Sequence, residues 1–80
     1  MVEFDIMIHS FSEIREFIET ASTQPFEVMV GNEHQEVSGK NYIGMACLDF
    51  DRPLHVTCGR ECDSADFDQF MQQISHFLAN

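Results

Sequence analysis

The stretch that decides the fold is residues 39–48, with the sequence GKNYIGMACL. The stretch begins with a glycine and is followed by the segment DFDRP, residues 49–53, so it has room only for a short helix. Asn41 is suited to cap this helix, because its side-chain oxygen can accept a hydrogen bond from an N–H group of the first turn. The apolar residues of the stretch cannot all face one core. Such a helix is either deeply buried or one half of a docking surface.

Strands are predicted on both sides of this helix, where apolar and polar residues alternate. The first strand covers residues 3–8, with His9 closing it on the other face, and the second covers residues 26–30. After a turn, a short third strand is predicted at residues 35–37, and the fourth covers residues 54–58. Each strand has one apolar face, which needs a layer of helices to bury it.

A longer helix is predicted between the first two strands. Ser10 and Glu13 have the spacing of a capping box, in which the serine caps the third helical N–H and the glutamate reaches back to the cap residue. The helix is expected to end near Thr23, before Pro25. Its apolar positions recur at helical spacing and are Phe11, Ile14, Phe17, Ile18 and Ala21.

The last helix carries the most regular apolar stripe in the chain. It follows a loop at residues 59–62, and Asp63 is suited to cap it, with Asp66 placed favourably for the helix dipole. The stripe consists of Phe67, Phe70, Met71, Ile74, Phe77 and Leu78. The order β-α-β-β-α-β-α predicts a single α/β domain over residues 1–80, built as an open-faced sandwich.

The apolar faces of the predicted strands and helices together define one expected core. It consists of Phe4, Ile6, Ile8, Ile14, Phe17, Ile18, Ala21, Val28, Val30, Leu48, Leu54, Val56, Phe67, Phe70, Met71, Ile74 and Phe77.

Composition excludes several classes of function. The formal net charge is −10 with only four lysines and arginines, so nucleic acid is not expected as a partner. No run of about 18 apolar residues occurs, so no membrane span is expected. The first residues, MVEFD, carry acids where a signal peptide carries bases, and we expect a cytoplasmic protein.

The three cysteines are odd in number and widely spread, which favours reduced thiols over a disulfide framework. His55, Cys58 and Cys62 have a spacing that resembles a metal-ligand set. However, His55 and Cys58 should point to opposite faces of the sheet, because they are three residues apart in a strand. We therefore expect no metal and no other cofactor, and we interpret Cys58 as a small core residue and Cys47 as helix packing.

The element order and residues 39–48 together resemble the HPr family, the histidine-containing phosphocarriers of the bacterial sugar phosphotransferase system. That family has the pattern Lys-Ser-hydrophobic-hydrophobic-Gly-hydrophobic at the start of a short helix. Lys40, Tyr42, Ile43, Gly44, Met45 and Leu48 match it. The resemblance extends from Phe4 to Leu78 and implies a four-stranded antiparallel sheet with three helices on one face.

Both phosphorylation sites of the HPr family are altered in this chain. The family's phosphoryl-accepting histidine lies at the start of the first helix and is followed by an arginine and a proline. Aligning the apolar stripe of the first helix places Ser10 at the phosphohistidine position and Ser12 at the arginine, while His9 falls one residue early. Sliding the alignment restores the histidine but places Phe11 at the arginine. The serine that a kinase phosphorylates in some members is replaced by Asn41.

In the HPr family, the short helix and the start of the first helix form the docking surface. The resemblance therefore assigns partner binding to Lys40, Tyr42, Ile43 and Ala46, within the helix expected at residues 41–48. We expect a degenerate, non-catalytic module that binds or regulates a protein partner. The alternative is an active phosphocarrier that accepts phosphate on His9, with Ser10 as the other candidate. The sequence leaves the oligomeric state open.

Overall fold

The structure is a computed structural model that describes residues 2–60 and 62–79. Met1, part of the acidic N-terminal stretch, and Glu61, within the loop predicted at residues 59–62, lie outside the described residues, as does Asn80. The elements follow the predicted order, with a short 3₁₀ turn added after the last helix. They are β1 (Val2–Ile6), α1 (Phe11–Ser22), β2 (Val28–Gly31), β3 (Glu36–Ser38), α2 (Tyr42–Ala46), β4 (Leu54–Cys58), α3 (Ser64–Ile74) and the 3₁₀ turn (Ser75–Phe77).

The four strands form one antiparallel sheet in the order β1-β4-β2-β3. Its register aligns one row of apolar residues across all four strands, in which Phe4 faces Val56, Val56 faces Val30, and Val30 faces Val37. Because side chains alternate along a strand, this row points to one face, and the three helices cover that face. The predicted open-faced sandwich of β-α-β-β-α-β-α order is confirmed.

A group of phenylalanines fills the space between sheet and helices. Phe70 of α3 lies at its centre and contacts Phe26 edge-on, with ring centroids 5.6 Å apart. The Phe70 ring also lies 6.3 Å from Phe4 of β1 and 6.2 Å from Phe17 of α1, measured between centroids. Phe17, Phe26 and Phe70 are almost wholly buried, so each contributes the full transfer free energy of its ring to folding.

The predicted core is correct at most positions and wrong at its margin. Four residues expected to be buried are only partly buried and pack on the outside of the core: Phe4, Ile18, Phe67 and Met71. Phe26 and Met45, which were not in the predicted core, are buried, and Cys58 is buried as its interpretation required. Burial follows from which residues the neighbouring elements cover, and periodicity within one element does not contain that information.

The element ends differ from prediction where tertiary contacts take over. β1 ends at Ile6 instead of Ile8, because the backbone beyond it pairs with the C-terminal segment: Met7 N–H donates to Phe77 O at 2.7 Å, and Ile6 bridges to Leu78. β3 lies one residue later than predicted, and α2 covers five residues instead of most of 41–48. In the described part of the chain, no helix is long and apolar enough to cross a membrane.

Candidate functional site

The start of α1 carries the predicted cap but not the full capping box. Ser10 has extended backbone, and Glu13 N–H donates to Ser10 Oγ at 3.3 Å. The Glu13 carboxylate reaches one residue further back than predicted, since its Oε1 accepts from His9 N–H at 3.0 Å instead of from Ser10 N–H. The Glu13 carboxylate therefore lies at the start of this helix.

The same carboxylate also contacts the His9 ring. His9 Nδ1 lies 3.3 Å from Glu13 Oε1, while the His9 side chain remains 70 % exposed. An ionised carboxylate only accepts hydrogen bonds, so Nδ1 must carry the hydrogen in this contact. In this geometry Nδ1 has no lone pair to offer as a nucleophile.

The hydrogen bonds described for Ser10 involve no lysine or arginine. Ser10 Oγ lies 3.1 Å from Ser12 Oγ, so the residues aligned with the family's histidine and arginine are two hydroxyls in contact. The charged residue in the first turn of α1 is Glu13, and Arg15 follows in the second turn with an exposed side chain. An anion at this helix start would meet a carboxylate before it met a guanidinium.

The start of α2 is capped as predicted. Gly44 N–H donates to the side-chain oxygen of Asn41 at 3.3 Å. A Cβ atom added at Gly44 would lie 3.1 Å from Cβ of Val37, so the glycine allows α2 to approach β3 closely. This approach buries Met45 and leaves the opposite side of the short helix facing outward.

Three large apolar side chains are exposed in the described part of the chain, and all belong to these two helix starts. Ile43 is 76 % exposed, Phe11 is 56 % exposed and Tyr42 is 45 % exposed. Phe11 belongs by its periodicity to the apolar stripe of α1, although it was not in the predicted core. As the first residue of the helix it instead extends past the core and contacts Phe50 edge-on, with ring centroids 5.3 Å apart. Its place directly after the cap was the only signal in the sequence for this exposure.

Two contacts define how α2 lies beside α1. Lys40, just before α2, donates from Nζ to the carbonyl of Gln24, just after α1, at 3.1 Å. Phe50, a few residues after α2, contacts Phe11 at the start of α1. The two helices therefore run in roughly opposite directions. Ala46, at the end of α2 that lies nearer the start of α1, is half-buried.

This arrangement separates Lys40 from His9. The 12 residues of α1 span about 18 Å, and the Lys40 ammonium is bonded at the end of α1 remote from His9. Lys40 therefore cannot neutralise a charge on His9. It lies instead beside Tyr42 and Ile43 in the chain, at the other end of the surface formed by α1 and α2.

The remaining residues considered as ligands lie on different faces of the sheet. His55 is exposed on the face opposite the helices, where Nε2 lies 2.7 Å from Glu3 Oε1 and Nδ1 lies 2.9 Å from Asp5 Oδ1. Hydrogen bonds to Glu3 and then Asp5 raise the pKa of His55. Cys58 is buried on the helix side, so the predicted separation of His55 from Cys58 is confirmed.

Comparison with known proteins identifies the fold. No protein-family model matches the sequence, and no curated protein matches it. Among solved structures, the chain is similar to HPr-C-His from Thermoanaerobacter tengcongensis, with a TM-score of 0.73 and 18 % sequence identity over 94 % of this chain and 92 % of that chain. At this identity the likeness concerns architecture. The chain has an HPr-like fold.

Proposed function

We propose that this protein is a divergent member of the phosphocarrier family that binds a protein partner through α2 and the start of α1 without carrying phosphate. The observation that carries this proposal is the contrast within that surface. Phe11, Tyr42 and Ile43 are exposed on it, while the carboxylate of Glu13 contacts His9, beside which a phosphoryl group would need a cation. Large exposed apolar side chains are typical of protein contact sites.

Phosphoryl transfer to His9 would lack two of its requirements. The acceptor nitrogen nearest the helix is already hydrogen-bonded to Glu13, and the exposed Arg15 lies one turn further along α1. Each missing charge-assisted hydrogen bond to a phosphate removes roughly 1.5–3 kcal/mol of stabilisation. That loss corresponds to about a ten- to hundredfold weaker interaction per bond.

The partner should present an apolar patch with basic groups around it. With a net charge of −10, this chain attracts positive surfaces and repels acidic ones during encounter. Tyr42 and Ile43 would supply the central apolar contact, and Ala46 and Phe11 would extend it towards the start of α1.

A phosphorylation assay tests the first half of the proposal. The protein is incubated with phosphoenolpyruvate and the general enzyme of the phosphotransferase system, with an authentic HPr as positive control, and intact mass is measured. We expect the control to gain one acid-labile phosphate and this chain to gain none. Rapid phosphorylation that His9→Ala abolishes would contradict the proposal and establish the active carrier.

The high exposure of the His9 ring at a helix start is the one observation that favours that alternative. Glu13→Gln is the matched variant, because it removes the carboxylate charge and keeps the shape of the side chain. If the carboxylate is what prevents transfer, Glu13→Gln should be phosphorylated faster than the wild type.

A competition assay tests the second half. The unlabelled chain is added in excess to the authentic HPr during its phosphorylation, and the initial rate is measured. A chain that docks on the same enzyme should slow the reaction, and Ile43→Glu should weaken this inhibition at least tenfold. His34→Glu, an exposed position in the β2–β3 turn, is the control and should inhibit like the wild type. Equal inhibition by both variants would place the docking surface elsewhere.

A further inference from the structure

Lys40 is the single lysine of the chain, and its side chain is bonded within the molecule. The ammonium donates from Nζ to the Gln24 carbonyl at 3.1 Å, across a partly buried contact. Gln24 is the one polar residue that is buried in the part of the chain that the structure describes. A lysine ammonium carries three donors and no acceptor, so a backbone carbonyl suits it as a partner. Lys40 therefore links the segment before α2 to the segment after α1.

The Gln24 carbonyl is a fixed acceptor, because the rest of Gln24 is bonded to the two longer helices. Its side-chain amide donates to the Thr20 carbonyl of α1 at 3.0 Å and to Gln73 Oε1 of α3 at 3.1 Å. Its backbone N–H donates to the Ala21 carbonyl at 3.1 Å. A buried polar group held in this way stays in place, since breaking its bonds would leave it unpaired. Through Gln24, Lys40 is joined to both α1 and α3.

The short helix α2 needs such an external link. It covers five residues, and helices shorter than about 12 residues are marginal without tertiary contacts. Its buried residue, Met45, lies near its end. Tyr42 and Ile43, at its start, are exposed and gain little from the core. The start of α2 therefore depends on its cap, Asn41, and on the bond that Lys40 makes.

We propose that Lys40 is a positioning residue of the docking surface. Its bond to Gln24 fixes the start of α2 and so presents Tyr42 and Ile43 to the partner, while the ammonium itself does not contact the partner. The partner's share in this rests on the function proposed above, whereas the effect of Lys40 on α2 is a property of the free protein. The direct contact with a partner that the HPr resemblance implies for Lys40 is thereby replaced by an indirect role.

Charge separates these two roles of Lys40. The chain has a net charge of −10, and its expected partner is basic around the apolar patch. A cation that directly contacted such a surface would be repelled by it, so its removal should leave docking unchanged or strengthen it. Removal of a positioning cation should instead weaken docking, although the chain becomes more negative.

Hydrogen exchange in the free protein tests the positioning. The reporters are the N–H groups of Met45 and Cys47, which donate to backbone carbonyls of α2 and its cap at 3.0 and 3.2 Å and exchange when α2 opens. Lys40→Met removes the ammonium and keeps most of the side chain. We expect it to speed exchange at both reporters by about two- to tenfold, the range of an ordinary net hydrogen bond. Exchange in the central strand β4 should not change.

Two further variants control this measurement. Lys40→Arg keeps a charged donor that can reach the carbonyl, and should restore the wild-type exchange of α2. Arg52→Met removes the same charge from an exposed side chain in the loop after α2, and should leave the exchange of α2 unchanged. Wild-type exchange in Lys40→Met, no restoration by Lys40→Arg, or an equal increase in Arg52→Met would each overturn the proposal.

The competition assay described above then measures the effect on docking. Lys40→Met should inhibit phosphorylation of the authentic HPr about two- to tenfold less strongly than the wild type, and Lys40→Arg should inhibit like the wild type. Equal or stronger inhibition by Lys40→Met would overturn the proposal. If the wild type itself does not inhibit, the function proposed above fails, and hydrogen exchange alone decides whether Lys40 positions α2.

Discussion

The two faces of the sheet belong to the same strands, but one face is apolar and the other carries charged residues. On the helix side, Phe4 and Val56 face each other across β1 and β4 within an apolar core. One residue along each strand, on the open face, Asp5 and His55 face each other in a charged contact. Alternation along the strand is the only geometric difference between the two pairs.

The difference shows where the stability of this small domain resides. Residues on the helix side exclude water and gain about 25 cal/mol for each Å² of apolar surface buried. The contacts of His55 with Glu3 and Asp5 are all about half exposed, and ion pairs of that kind typically contribute 0–1 kcal/mol. The helix side should therefore control the free energy of unfolding, and the open face should control its dependence on pH.

The strongest test removes the centre of the helix side. Phe70→Ala should lower the free energy of unfolding by about 3–5 kcal/mol, the usual range for a buried phenylalanine, because Phe70 contacts rings from β1, α1 and the segment before β2. Chemical denaturation measures this change. A loss below about 1 kcal/mol would show that Phe70 is not a core residue.

A matched pair of substitutions on β4 compares the two faces directly. Val56→Thr keeps the shape of a fully buried side chain but places a hydroxyl in the core, and should cost about 1–3 kcal/mol. Thr57→Val makes the reverse change one residue later, on the open face, and should alter stability by less than about 0.5 kcal/mol. Equal effects of the two substitutions on the denaturation midpoint would remove the distinction between the faces.

The helix layer also depends on its caps. Ser10→Ala removes the acceptor of Glu13 N–H and should lower stability by about 1 kcal/mol. Ser10→Asp should be tolerated in thermal unfolding, because a carboxylate also caps and suits the helix dipole. If Ser10→Ala has no thermal effect, the cap does not stabilise α1, and Ser10 becomes a better candidate for chemistry.

The smallest expected effect concerns the open face. Because Glu3 and Asp5 raise the pKa of His55 above 6.5, its protonated form is favoured in the folded state. This contribution is complete below pH 6.5 and is lost as the pH rises through the folded pKa. Subtracting the pH profile of His55→Gln from that of the wild type isolates it. The difference should be below about 1 kcal/mol and should shrink in high salt. A difference that grows with rising pH would reverse the assigned sign.

The residues at the helix starts show which features of the candidate surface and its fold could be predicted from the sequence. Ser10, Asn41 and Asp63 were recognised as caps, and each accepts the expected N–H three residues later. The exposure of Phe11 was not predicted, although Phe11 was left out of the expected core, and the direction of the Glu13 carboxylate was missed. The apolar stripe of a helix does not show which of its residues the neighbouring elements cover. A glutamate near a helix start can accept from either of two backbone N–H groups, and the sequence does not show which one it will choose. The roles of His9, Ser10, Asn41, Lys40, Tyr42, Ile43 and Ala46 in binding or phosphate transfer remain predictions.

The sequence by itself determined the element order, the caps and the apolar face of each strand, because these depend on residues within one or two turns of each other. Only the tertiary structure decided that Lys40 is bonded to the remote end of α1 and that His55 lies between two carboxylates of β1. Both contacts join residues that are far apart in the chain. The periodicity of apolar residues predicts neither contact. It shows which face of its own helix or strand a residue occupies, but not which other element that face packs against.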